Sequence, residues 1–451
     1  MKIGIDIQGC QSEGSKTRGI GRYSLTLIRY LIENSQDDDE FILISNKSLG
    51  RLDDVFLSFI KTFGPKVHYF EWIYPGSTTT ISNFHEEKTA VAEKIRSYCF
   101  CLLNCDIILI TSFFEGFRDN SIIEFDKDFD LPPIVSIFYD LIPLINPEIY
   151  LETNADFKCF YLKRLEYLNQ VDCLLSISNS SSREAFKYLS IDKANVYNIY
   201  AGCDQRIFYP GDTKPGFKTT NCILDKYILY SGAGDPRKNL NRLIEAYSLL
   251  NNELILTYQL VLVGKLLPEE ISIVKSWVTS FNLNPNQVVL LGYVSDEELA
   301  DLYRNCSLFV FPSLHEGFGL PALEAMSCGA VVLGSNTTSI PEVVQNESAL
   351  FDPNNALQIS ELITKALSDK TFYNHLQSGL RQKSLKFTWE NTASKASNAL
   401  LKTIKKFHHD FPKPKNIESI RNYKNKYYNL MISKIINILS NNNLSNDEIY
   451  I

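Results

Sequence analysis

The chain has little of what would place it in several large protein classes. No run approaches the roughly 20 apolar residues that a bilayer-crossing helix needs. Positive charge is not in excess: 45 Lys and Arg face 52 Asp and Glu, for a formal net charge of -7, so the electrostatic footprint of a general nucleic-acid binder is absent. The ten cysteines in 451 residues are scattered, without the dense spacing of a disulfide-stapled secreted domain. The opening Met1–Cys10 runs straight into a strand, with no apolar core of signal-peptide length. These features lead us to expect a protein of the reducing cytoplasm, and the Asn-x-Ser/Thr triplets at Asn179, Asn336 and Asn346 then read as accidents of an Asn- and Ser-rich chain. Also missing is the phosphate-binding G-x-x-x-x-G-K-[ST]. So is a G-x-G-x-x-G at the first turn of either half, which argues against a nicotinamide dehydrogenase. No Asp-x-Asp sits in an evident metal-binding loop; Asp37-Asp38-Asp39-Glu40 is a charged turn.

What is present is ordinary globular composition, 45% hydrophobic and 22% charged, which excludes a mainly disordered chain. The length calls for two or three domains. Short runs rich in Ile, Val, Leu and Phe recur at Lys2–Ile7, Phe41–Ser45, Val67–Trp72, Asp106–Thr111, Ile134–Tyr139, Cys173–Ser178 and Val196–Tyr200. They resume at Tyr227–Ser231, Gln259–Gly264, Val288–Gly292, Ser307–Pro312 and Ala330–Gly334. Strands apolar at nearly every position belong to parallel sheets covered on both faces. The stretches between them, such as Tyr23–Asn34 and Asn239–Asn251, carry apolar residues at helical steps. Alternation of this kind predicts two doubly wound α/β domains, with the boundary at Pro210–Thr220, where Pro, Gly, Asp, Lys and Thr cluster without periodicity. After residue 407 the chain turns basic, and Tyr427–Ser440 reads as an amphipathic helix. It would pack on the body of the protein or a dimer partner, or lie on an anionic membrane surface.

Two segments carry chemistry. His315-Glu316-Gly317-Phe318-Gly319-Leu320-Pro321 follows a predicted strand and opens a helix that bears Glu324. Its glycines let the backbone approach a ligand, the helix start offers N–H groups and partial positive charge, and the two glutamates can point into one crevice. The pattern fits a polyhydroxylated, phosphorylated ligand. Ser231-Gly232-Ala233-Gly234-Asp235-Pro236-Arg237-Lys238-Asn239 follows the first strand of the second half. There Arg237 and Lys238 suit a diphosphate, Arg by bidentate contact and Lys as a point charge. Cys99, Cys101 and Cys105 sit in an apolar run with no histidine and read as core rather than a metal clip.

Residues 1–407 resemble the retaining family four glycosyltransferases. The resemblance rests on Glu316-x7-Glu324 within Pro312–Met326, on Arg18–Tyr23, Ser178–Ser180, Gly202–Asp204 with Phe208 and Pro210, Gly292–Val294 and Asp296–Leu299. It implies the GT-B fold, two Rossmann-like α/β domains facing across a cleft. Residues 1–210 would bind the acceptor and 221–390 the nucleotide sugar, with 391–407 a helix crossing back to the first domain and 408–451 a basic amphipathic tail. It implies an enzyme moving a hexose from a nucleotide diphosphate sugar to a hydroxyl of a glycan or lipid-linked acceptor in polysaccharide synthesis. The phrases are most similar to those of bacterial mannosyl- and rhamnosyltransferases, which makes GDP-mannose the first donor expected. Such an enzyme would be cytoplasmic or peripheral at the inner membrane face.

By the same resemblance Arg237 and Lys238 would hold the diphosphate, Glu324 the ribose and Glu316 a donor-sugar hydroxyl. Amides of Phe318, Gly319 and Leu320 would meet sugar and phosphate, Gly21 would approach the phosphates, and Gly292, Tyr293 and Val294 would lie beside the base. No metal is expected, the basic pair and helix dipole taking the cation's part. Two departures stand out. Gly232-Ala233 lacks the arginine many members carry, so Arg237 is expected to substitute. Tyr139 replaces a frequent histidine before Asp140; a phenol with an ordinary pKa of about 10 is a poor base near neutrality, which leaves Asp140 the better candidate to meet the acceptor. The alternatives left open are a non-catalytic scaffold that binds sugar nucleotides or glycans, and an epimerase or phosphorylase on the same fold.

Overall fold

A computed structural model describes residues 1–50, 54–74, 78–79, 86–211 and 223–410. The predicted linker from residue 212 and the predicted tail helix lie outside the described residues. The chain divides into two compact units, one formed by Met1–Ile177, Ser182–Ile199 and Glu390–Ile451, the other by Ser178–Ser181 and Tyr200–Trp389.

The first unit holds a seven-stranded parallel sheet. Its strands are β1 (Lys2–Asp6), β2 (Glu40–Asn46), β3 (Val67–Trp72), β4 (Ile107–Ile110), β5 (Ile134–Phe138), β6 (Cys173–Ser176) and β7 (Val196–Asn198), in the order β3-β2-β1-β4-β5-β6-β7. The central strands β4, β5 and β6 are buried at every position, as expected for strands covered on both faces. The helix Gly19–Glu33 buries Tyr23, Leu27, Ile28, Leu31 and Ile32 at helical spacing. From Glu390 the helix Trp389–Asp410 belongs to this unit; it buries Ala393, Ala396, Ala399, Leu400 and Thr403 on one face.

The second unit repeats the plan with six parallel strands. They are β8 (Tyr227–Ser231), β9 (Gln259–Val263), β10 (Val288–Gly292), β11 (Leu308–Phe311), β12 (Val332–Ser335) and β13 (Leu350–Phe351), in the order β10-β9-β8-β11-β12-β13. In both sheets the strand order reverses beside the first strand, between β1 and β4 and between β8 and β11. Loops leaving the carboxyl ends of two strands part company at such a point, and the crevice between them is where open α/β sheets take ligands.

Candidate functional site

In the second unit the two loops at the switch point are the two segments singled out by sequence. β8 and β11 are paired, Leu308 against Ile228 and Phe309 against Leu229, so the loops that follow leave side by side. They are tied together: the Leu314 N–H donates to Arg237 O at 2.8 Å. The short turn Pro236–Lys238 starts where the Asp235 carboxylate accepts the Arg237 N–H. It ends at Asn239, whose left-handed backbone (φ 60) suits an Asn. The Asn239 side-chain amide donates to Pro312 O and Pro353 O at 3.1 and 2.7 Å. This lock was not anticipated, although an Asn closing a Gly- and Pro-rich turn is a readable signal.

The geometry brings Arg237, Lys238 and Glu316 into contact. Lys238 Nζ donates to Glu316 Oε1 at 2.6 Å and Arg237 Nη1 to Glu316 Oε2 at 2.8 Å. Arg237 also reaches His315 O at 3.0 Å, and Lys238 Nζ lies over the Phe311 ring. Burial alone would raise the Glu316 carboxyl, but the Lys238 and Arg237 cations outweigh it and hold it at about 2. Burial pulls the Lys238 ammonium below its ordinary value, with Glu316 opposing. Asp235 Oδ1 lies 3.6 Å from Arg237 Nε, so two cations face two carboxylates.

Gly319 (φ 105) precedes the helix Leu320–Ser327, with Pro321 in its first turn and no side chain capping it. The first N–H groups of a helix have no partner within it, and those of Gly319 and Leu320 fall at this end. Phe318 is buried, and Glu324, one turn inside the helix, is only 4% exposed. Gly232 and Gly264 follow β8 and β9, and Gly292 ends β10. A Cβ on Gly264 would stand 1.8 Å from Gly232 O, while one on Gly292 would meet nothing within 4 Å. Tyr293 beside it is 81% exposed, and Val294 is half-buried. The rim at β10 is therefore bare backbone next to an open aromatic ring.

The strap Ser335–Ser339, which begins at the last residue of β12, was missed altogether. Ser335 Oγ donates to Ser313 O at 2.6 Å, Thr337 Oγ1 to Leu314 O at 3.0 Å, and Thr338 Oγ1 accepts the Glu316 N–H at 3.1 Å. Ser339 Oγ lies 2.8 Å from both Glu316 O and Phe318 O.

In the first unit the switch-point loops enclose a polar network that sequence reading also passed over. Asp6, at the end of β1, accepts Arg96 Nη2 at 2.8 Å and Gln8 Nε2 at 3.0 Å. Arg96 Nη1 donates to Ile123 O and Glu124 O, both at 2.9 Å. Arg164 pairs with Glu124 and donates to Glu115 O at 2.8 Å. The Glu115 carboxylate accepts Ser15 and Ser112 hydroxyls at 2.5 and 2.7 Å. Burial would raise Glu124, but Arg164 overrides it and keeps the carboxyl low. The available signal was an isolated charge inside an apolar run, as in Lys2–Asp6 or Ser121–Phe125.

The remaining candidates lie in this unit. A Cβ on Gly21 would come within 2.5 Å of Ser15 O and 2.6 Å of Lys16 O, and the Gly21 N–H donates to Ser15 O at 3.1 Å. The glycine thus lets the β1 loop fold onto the start of its helix. The Tyr139 hydroxyl is 2.8 Å from Ser24 Oγ and lies 3.2 Å from Thr111 O and 3.3 Å from Ile20 O. Burial pushes the phenol well above its ordinary value, with Ser24 opposing. Half-buried Asp140 accepts the Ile142 N–H at 3.1 Å, and buried Glu184 accepts the Leu141 N–H at 2.7 Å. Among the described residues no three His, Cys, Asp or Glu side chains gather as a metal site. Cys99 and Cys105 are buried in the core and Cys101 packs against it.

Residues 224–383, which carry Arg237, Lys238, Glu316 and Glu324, match the family described as Glycosyl transferases group 1. A serotype-specific mannosyltransferase WbdA of Escherichia coli is 37% identical over 398 residues, 87% of this chain and 47% of that protein. The chain spans about half the length of the curated relatives of this kind that it matches. An O-antigen chain mannosyltransferase B of Escherichia coli is 31% identical over 268 residues, 59% of this chain and 69% of that protein. This chain belongs to the group 1 glycosyltransferases. A solved structure of sucrose-phosphate synthase from Thermosynechococcus elongatus matches this glycosyltransferase family member with a TM-score of 0.68, covering 90% of this chain and 100% of that one at 19% identity. The two Rossmann-like α/β sheets of the GT-B fold class are thus both found in this chain. No helix among its described residues is long and apolar enough to cross a membrane.

Proposed function

We propose that this chain is a retaining hexosyltransferase that moves mannose from GDP-mannose to a hydroxyl of a glycan or lipid-linked acceptor in polysaccharide synthesis. The observation that carries the reading is the contact of Arg237 and Lys238 with Glu316 at the switch point of the second sheet. The names of the Escherichia coli relatives support mannose as the sugar. The nine described cysteines, all free thiols, agree with a cytoplasmic setting, and the basic tail would supply peripheral contact at the inner membrane face.

In the proposed reaction the bond from the anomeric carbon to the diphosphate oxygen breaks while the acceptor oxygen bonds to that carbon on the same face. The acceptor proton passes to the departing diphosphate, so configuration is retained and the charges balance. Arg237 and Lys238 neutralise the leaving diphosphate, and amides of Phe318, Gly319 and Leu320 face it and the sugar, a pre-set electrostatic field of the kind that contributes most to such steps. Glu316, ionised at neutral pH, accepts a hydrogen bond from a sugar hydroxyl; Glu324 does so from the ribose. The base lies beside Gly292, Tyr293 and Val294, where an open ring and bare backbone admit it. No metal is required. Asp140 meets the acceptor hydroxyl. Tyr139, its phenol raised and hydrogen-bonded, keeps the shape of this region and takes no proton. The scaffold and the epimerase or phosphorylase alternatives draw no support from the relatives.

The test is to incubate the purified chain with GDP-, UDP- and dTDP-sugars and measure nucleoside diphosphate release. Release of GDP from GDP-mannose, lost in Glu316→Ala, is expected. Silence with every donor, together with no thermal shift from any nucleotide, would overturn the proposal.

A further inference from the structure

Ser339 occupies the N-cap position of the helix Ile340–Val344, where a serine ordinarily turns its hydroxyl onto the helix's own N–H groups. Here it makes no side-chain cap. The hydroxyl, fully buried, is instead shared between Glu316 O and Phe318 O, at 2.8 Å from each. The preceding residue is unusual as well. Thr338 has a left-handed backbone (φ 50), costly for a β-branched side chain and held only where surrounding contacts impose it. Its hydroxyl accepts the Glu316 N–H at 3.1 Å. The strap therefore grips the loop between β11 and the following helix at alternate carbonyls. In a planar trans peptide the N–H of one residue points opposite to the preceding C=O. Carbonyls of Glu316 and Phe318 drawn toward Ser339 turn the amides of Gly317 and Gly319 to the other side.

We propose that Ser339 is a positioning residue of the donor site: it withdraws the carbonyls of Glu316 and Phe318 and so aims the amides of Gly317 and Gly319 at the donor's diphosphate and sugar. The inference rests on the donor-site reading above. Two carbonyl dipoles freed to rotate would present negative oxygen to an anion, so the loss falls on the outer phosphate and sugar rather than on the nucleoside. Thr338, through the hydroxyl that accepts the Glu316 N–H, fixes the strap's register on the loop.

The experiment is calorimetric titration of the full chain and of Ser339→Ala with GDP and with GMP, alongside thermal melts. Ser339→Ala is expected to weaken GDP about tenfold, the effect of one buried hydrogen-bonding group lost, and to change GMP less than about twofold on the same scale. Ser339→Cys keeps the volume but donates weakly; it should show the same selective loss and serves if the alanine variant does not fold. Equal weakening of GDP and GMP, or no weakening of either in a folded variant, would overturn the positioning role and leave the donor reading intact. A parent chain that binds no nucleotide would overturn both.

Discussion

Lys238 Nζ and Glu316 Oε1 are 2.6 Å apart, across 78 positions of sequence. With Arg237 on the other carboxylate oxygen and Asp235 beside Arg237, the loops proposed to hold the donor set two cations against two carboxylates. A diphosphate entering this site competes with Glu316 for both cations. Glu316→Gln removes the competitor, so GDP binding should tighten several-fold by calorimetry while turnover falls on the order of a hundredfold. Without nucleotide the variant should lose about 3 kcal/mol of stability, because two cations lose their buried partner. Weaker GDP binding in Glu316→Gln would contradict this account of the pair.

Acid should weaken the second unit through the same carboxyl. Its folded value near 2 lies below the ordinary 4.5, so its contribution is fully present above pH 4.5 and drains away as pH falls toward 2. Denaturant midpoints should decline across that window in the parent. In Glu316→Gln this part of the decline should be missing.

Glu93 should act in the opposite sense. Burial raises its carboxyl to about 7, with Glu124 and Asp126 adding and Lys94 and the Tyr167 hydroxyl opposing. A raised carboxyl contributes stability below its ordinary 4.5 that is lost as pH rises through 7. Glu93→Gln should therefore stabilise the protein at pH 8 by up to about 3 kcal/mol and change little near pH 4.5. Equal effects at both pH values would rule this out.

Gly264→Ala places a Cβ 1.8 Å from Gly232 O, at a φ of 146 that L side chains rarely adopt. The backbone must move, and we expect about 3 kcal/mol of lost stability together with weakened nucleotide binding. A melting midpoint matching the parent would show that the rim yields more easily than its geometry says.

Tyr139→Phe deletes the hydroxyl that bridges Ser24 and two backbone carbonyls. Stability should drop by about 1 kcal/mol, with turnover surviving. Abolished turnover in a fully folded variant would return the phenol to the chemistry.

Much of this protein follows from short-range pattern. The apolar runs anticipated in both halves fall on β1 to β12. For strands such as β4, β5, β8 and β11, buried at every position, the cause is burial on both faces, whereas β3 and β7 keep exposed or half-buried positions and are marked by β-branched and aromatic residues. The two-residue β13 leaves no such trace. The loops after β8 and β11 were legible as a candidate site because glycines, adjacent basic residues and a proline at a helix start have local physical meanings. The Ser335–Ser339 strap was not, since Asn336-Thr337-Thr338 looks like any polar turn until the loop it grips lies beneath it. Tyr139 was visible as an unusual residue, but its engagement with Ser24 depends on a helix 115 positions away.

What the sequence determined by itself is the alternation of buried strands with amphipathic helices and the residue types waiting at strand ends, both set by neighbours in the chain. Only the tertiary structure decided which ends meet. The strand order put β8 beside β11 and β1 beside β4, so Lys238 found Glu316 and Asp6 found Arg96. Partners so far apart in sequence are chosen by packing, because a buried charge is tolerated only where the fold delivers its counterpart.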